Sequence, residues 1–194
     1  MKTKKQVRKT ICDDLLELLL IAYTYGCEDV NEMLGTKIAP TYDEMRESVY
    51  RKVAGEDFEQ RVDKYLDQFA AEIEASSASS SAPGETPTIP KVPTPPLEDI
   101  MRIADTDSHR VFNEAGFNTA DVAEKTGERK GIIKEWETKD DDRVRATHDY
   151  INEVKLPLHD EFITFDGDRA LQPGGFSKPE NNIRCRCKLR FYTA

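Results

Sequence analysis

Between residues 76 and 96 the chain reads SSASSSAPGETPTIPKVPTPP, serine-rich and then proline-rich, with only Ala78, Ala82, Ile89 and Val92 from the hydrophobic set. Such a stretch buries too little apolar surface to offset the entropy of its own ordering. It therefore divides the 194 residues into a helical arm, 1–75, a flexible Ser/Pro-rich linker, 76–96, and a body, 97–194. The hydrophobic fraction is 38%, below the roughly 45–50% of globular chains, and the linker explains part of that deficit. A flexible tether of this length spans about 25 Å, enough for the arm to reach a neighbouring subunit.

Charge narrows the function classes. The formal net charge is −9, shared almost evenly by arm and body. Binding nucleic acid through the overall field is excluded, and only a local basic patch could do it. The longest apolar run, Leu15–Tyr23, is nine residues and contains Glu17, whereas a membrane span needs roughly 20. The basic N-terminus resembles a signal peptide only superficially, because Asp13, Asp14 and Glu17 fall inside the would-be apolar region. The chain is expected in a cytosol, with Cys12, Cys27, Cys185 and Cys187 reduced or holding a metal.

Periodicity gives the arm three helices. Val7, Ile11, Leu15, Leu18 and Ala22 form one apolar stripe, expected to end near Gly26. Thr41 and Glu44 have capping-box spacing ahead of Met45, Val49 and Val53, with Gly55 as the stop. Phe58, Val62, Tyr65, Leu66, Phe69 and Ile73 mark a third helix. This arm forms either a self-contained bundle or a surface that packs on a partner.

The body reads as α+β, one helix followed by a small, mostly antiparallel sheet. Its helix runs from about Leu97 to Phe117, with Ile100, Ile103, Ala104, Val111 and Ala115 on one face. Asp107 lies on that face and needs a partner, for which Arg110 is placed. Ile132–Thr138 alternates as a strand; a charged helix is expected over Asp140–Ile151, then short strands near Val154–Leu158 and Glu161–Phe165, and a long turn through Gly167 and Pro173–Gly175. From Ile183 to Phe191 alternation is strict. Ile183, Cys185, Cys187, Leu189 and Phe191 face one way, and Arg184, Arg186, Lys188 and Arg190 the other.

Two constellations carry candidate chemistry. On a helix Asp141, Arg145 and His148 share a face, and two cysteines at i and i+2 on a strand point the same way. If these pack together, His148, Cys185 and Cys187 supply three ligands to zinc, with His159 or water as the fourth. That site would be structural or the centre of a zinc-dependent enzyme. The competing reading is two buried thiols and a core histidine bonded to a carboxylate or carbonyl. A Cys/His nucleophile pair is poorly placed, since these cysteines face the core. The second constellation is the basic face of Arg184, Arg186, Lys188 and Arg190, suited to phosphate contact or to an acidic partner. No Walker-type or dinucleotide glycine loop, H-E-x-x-H or G-x-S-x-G occurs.

The order of features in the body matches a known pattern: Thr106-Asp107-x-x-Arg110 with Asn113, Lys134-x-Trp136, Asp141-x-Arg143-x-Arg145-x-x-His148, Phe162, Pro173-Gly174 and Cys185-Arg186-Cys187. Over about residues 97–190 this resembles the phage head morphogenesis domain, the Mu F-like or minor head protein family. The resemblance implies a minor capsid protein of a tailed phage or prophage, a structural assembly factor near the portal rather than an enzyme. It implies portal and coat or scaffold proteins as partners, packaged DNA in some relatives, no membrane, no expected cofactor, and a place in the virion or, during assembly, the host cytoplasm. The chain departs from the family pattern in four places. Asp107 stands where Glu is common, Asn152-Glu153 replaces Asn-Gly, Gly175 replaces Asp, and Arg184 replaces Asn.

Overall fold

The computed structural model describes residues 4–52, 60, 64, 67 and 97–193. The third arm helix, the Gly55 stop and the linker lie outside the described residues. The fold is α+β, in the order α1 (Lys4–Leu34), α2 (Tyr42–Lys52), α3 (Leu97–Thr126), β1 (Ile132–Glu137), α4 (Ala146–Asp149), β2 (Lys155–Pro157), β3 (Phe162–Ile163), β4 (Arg169–Ala170), α5 (Pro179–Asn182) and β5 (Lys188–Thr193).

Helix α1 runs eight residues beyond Gly26. The glycine is a packing device and not a stop: a Cβ there would lie 2.2 Å from the Phe112 carbonyl oxygen of α3. Across the crossing, a Cβ on Gly116 would meet Val30 Cγ2 at 3.0 Å. The two bare backbones let α1 and α3 approach closely along their length. The actual stop is Gly35, at φ +63, a left-handed cap that glycine adopts without steric cost. Arg129, beyond α3, donates from Nε to the Leu34 carbonyl at 2.5 Å and from Nη2 to the Gly35 carbonyl at 2.7 Å. These bonds satisfy acceptors that a helix end leaves open.

The buried stripe of α1 is Leu15, Leu19, Tyr23, Cys27, Val30 and Leu34. The expected stripe is thus rotated, and Leu18 is exposed. The Leu18–Ile21 run is apolar on every side, so periodicity alone does not select its inner face. Leu15, Leu19, Tyr23 and Cys27 pack with Val49 of α2 and with Val111 and Ala115 of α3. Val30 and Leu34 join a second cluster containing Trp136, Phe162, Cys187 and Phe191. The first helix is therefore built into the body, an arrangement different from both a self-contained bundle and a free docking arm. The start of α2 is as expected: Thr41 N–H donates to Glu44 Oε2 at 2.7 Å, and Glu44 N–H donates back to Thr41 Oγ1 at 3.3 Å.

In the body β1 is the central strand of an antiparallel sheet ordered β2-β1-β5. Trp136 sits opposite Leu189 and Lys134 opposite Phe191. Ile132, Lys134 and Trp136 face inward, as the alternation requires. Strands β3 and β4 form a separate hairpin.

Three boundaries differ from expectation. α3 continues to Thr126, nine residues past Phe117. The charged segment 140–151 contains only the four-residue α4, because Asp140 takes a positive φ of 52 and Asp141 turns the chain by accepting the Arg143 N–H at 3.1 Å. Strand β5 begins at Lys188 and not Ile183. Arg184 adopts φ 54, which breaks the extended run and leaves Ile183 exposed. Cys185, Cys187, Leu189 and Phe191 are nevertheless all buried, so the inward alternation survives without the ladder.

Candidate metal centre

The body gathers His148, Cys185 and Cys187 into one cluster. His148 Nδ1 lies 3.4 Å from Cys187 Sγ and 3.7 Å from Cys185 Sγ. All three donor atoms fall within 4.8 Å of one another. His148 is 1% exposed and each cysteine 4%. The coupled sulfurs differ sharply in acidity. A bond from Cys187 pulls the Cys185 thiol well below its ordinary range, against the effect of burial and with help from His148. The same bond, with burial, pushes Cys187 up.

Each side of the cluster is positioned by its own element. α4 presents His148, and its C-terminal turn is hooked to the sheet edge: Glu153 N–H donates to the Trp136 carbonyl at 2.8 Å, and Thr138 N–H to Asn152 Oδ1 at 3.0 Å. Those bonds set the imidazole against Trp136, edge-on at a centroid distance of 5.5 Å, while Phe176 stacks on it at 5.4 Å and touches Trp136 at 5.5 Å. Phe162 packs edge-on against Trp136 at 5.1 Å. The cysteines are positioned from α3, where His109 Nε2 and Asn113 Nδ2 contact the Cys187 carbonyl at 2.5 and 3.2 Å. Thr106 Oγ1 accepts the Arg184 N–H at 3.1 Å.

The other motif residues form a frame around this cluster. Asp107 is buried on α3, and Arg110 packs against Gly174, where a Cβ would come within 2.9 Å of Arg110 Cγ. Asp141 does not pair with Arg145, because the two do not share a helix. Its carboxylate takes both Arg186 nitrogens, with Nη1 to Oδ2 at 2.6 Å, and the guanidinium holds it at about 2. Arg145 donates instead to the Ile183 carbonyl. The segment 141–148 is thus clamped over 183–187. Arg143 stays at the surface.

His159 is not a fourth ligand. It is largely exposed, with Nε2 3.2 Å from Glu124 Oε2 and 3.7 Å from Asp121 Oδ1. Of the expected four-cation face, Arg184 is exposed outside β5 and the other three cations are engaged by carboxylates. Arg190 forks onto Glu137 at 2.5 and 2.9 Å, Lys188 approaches the same carboxylate at 3.4 Å, and Arg186 is held by Asp141.

Two further polar groups support the site, the first of them missed by sequence reasoning. Asp168 accepts from Ser177 N–H and Oγ, Lys178 N–H and Asn181 Nδ2, at 2.7 to 3.1 Å. Burial opposes its charge, but these donors hold the carboxyl well below the usual range. Asn181 in turn accepts from Thr147 Oγ1 at 3.0 Å, beside His148. Their only sequence signal was a turn-like Asp166-Gly167-Asp168. The second group is Lys134, fully buried on β1, with Nζ donating to the Leu171 carbonyl at 2.8 Å and lying 5.2 Å from the Phe117 and Phe162 ring centres. Burial lowers it to about 8.

No curated protein and no solved structure matches the chain. The family model of Phage Mu protein F like proteins matches residues 43–190, from the start of α2 into β5. That span covers more than half of the sequence and every motif element converging on His148 and the cysteines. The chain belongs to the Phage Mu protein F like family.

Proposed function

We propose that the chain is a minor head protein of a tailed phage or prophage, an assembly factor that acts near the portal and has no catalytic role. The family match over residues 43–190 carries this reading. The disposition of the motif residues supports it, because they spend their polar groups on one another. Asn113 holds the Cys187 backbone, Asp141 holds Arg186, Arg145 holds the Ile183 carbonyl, and both thiols are buried. Such an arrangement stabilises a rigid body and offers no exposed nucleophile.

A surface for another head protein is present on α1. Leu18, Ile21 and Tyr25 are exposed at i, i+3 and i+7, one face of the helix. Tyr25 is 61% exposed and Ile21 53%. Packaged DNA is a weaker partner for the C-terminal cations, since Arg186, Lys188 and Arg190 must first leave Asp141 and Glu137.

Co-expression with the portal and coat proteins of the same phage tests the reading. The chain is expected to sediment with procapsids, and particles that never incorporate it overturn the proposal. An Ile21→Glu, Tyr25→Glu variant should fold normally yet incorporate poorly; full incorporation would remove α1 as the contact surface.

A further inference from the structure

We propose that His148, Cys185 and Cys187 bind one zinc ion, a site that stands independently of any role at the portal. In tetrahedral zinc with Zn–N of about 2.05 Å and Zn–S of about 2.3 Å, nitrogen and sulfur lie roughly 3.6 Å apart. His148 Nδ1 stands 3.4 and 3.7 Å from the two sulfurs. Both nitrogen–sulfur separations match that spacing, and all three donor atoms lie within 4.8 Å of one another.

Two sulfurs converge on Nδ1, whereas an accepting imidazole nitrogen has one lone pair and takes one S–H donor. The other ring nitrogen, Nε2, is buried with no hydrogen-bond partner, so the polar capacity of His148 is directed through Nδ1 at the cysteines. A cation satisfies all three donors together.

Charge favours a divalent ion. Zinc entering the site displaces one proton from each thiol to solvent, and two thiolates with one Zn²⁺ and a neutral imidazole sum to zero. A neutral cluster is what a wall of Trp136 and Phe176 tolerates, whereas an uncompensated thiolate there is costly. Two sulfurs and an imidazole are soft donors that zinc accepts readily. Three protein ligands leave the fourth position to water.

The donors are also held in place from outside the cluster. His109 and Asn113 fix the Cys187 carbonyl. The Thr147–Asn181–Asp168 chain pins α4. Zinc then ties the C-terminal C-x-C to α4 and closes the core.

Elemental analysis of the full chain, purified without chelator, tests the site. About one zinc per chain is expected. Cobalt exchanged for zinc should give thiolate-to-cobalt charge-transfer bands and the intense visible bands of a tetrahedral ion. Cys185→Ser removes a direct ligand and should lower zinc affinity by more than the roughly 10–100-fold that loss of an outer partner costs, while Cys12→Ser leaves it unchanged. Should Cys185→Ser fail to fold, the cobalt spectrum of the unaltered chain decides. The proposal is overturned if the folded chain takes up neither zinc nor cobalt, if cobalt binds without thiolate bands, or if anaerobically purified chain carries a Cys185–Cys187 disulfide by intact mass.

Discussion

Glu153 and Arg184 stand at φ 62 and 54, a region that costs a residue with a Cβ roughly 1–2 kcal/mol. The family resemblance implies Gly and Asn at these two positions, residues that enter this region easily. Two of the four departures noted in the sequence thus fall in strained backbone. Glu153→Gly should raise stability by about 1 kcal/mol in urea denaturation, and a loss would refute the strain. Lys134 makes a pH prediction. Its folded pKa is about 8 against 10.5 for the free side chain, so between those values the unfolded chain binds more protons and stability rises with pH. Below pH 8 the burial cost is fully expressed. Comparing unfolding of the unaltered chain and Lys134→Met from pH 7 to 10.5 isolates this group, whose difference should shrink or reverse as pH rises; a pH-independent difference would show that Lys134 stays protonated. At this scale the sequence was legible where chemistry is local. His148 and the two cysteines were identified from residue type and alternation, but Asp168 and Asn181 gave no periodic pattern, because their partners lie up to 34 residues away.

Local signals also located the elements that depend on them. The Thr41/Glu44 capping box starts α2 where its spacing says, and Thr41→Ala should cost about 1 kcal/mol in thermal or urea unfolding. The alternation of Ile132, Lys134 and Trp136 correctly marked the inner face of β1. Gly26 misled, since a glycine that ends a helix and one that admits another helix look identical in sequence. Gly26→Ala separates the two. As a left-handed terminator its replacement would cost about 1 kcal/mol, but with the Phe112 carbonyl 2.2 Å from the new Cβ the variant should lose about 2–3 kcal/mol by overpacking. The segment 140–151 failed for the converse reason. Its i, i+4, i+7 spacing was helical, but Asp140 and Asp141 turn the chain, and Asp141 finds Arg186, 45 residues away, in place of Arg145.

For the molecule as a whole, the linker composition suggested an arm and a body, whereas α1 crosses that division. Val30 and Leu34 share a core with Trp136 and Phe191, contacts between distant segments that no periodicity within α1 encodes. A chain beginning at residue 36 should therefore lose the cooperative unfolding of the body, which differential scanning calorimetry would register. Around the shared core the family's motif residues bind one another and leave apolar faces such as Leu18, Ile21 and Tyr25 outward, as a component held by other proteins requires. Quantitative mass spectrometry of particles assembled with and without the portal tests that role most directly. The chain should be present in few copies per particle and be lost when the portal is omitted; abundance like that of the coat protein, unaffected by the portal, would contradict it.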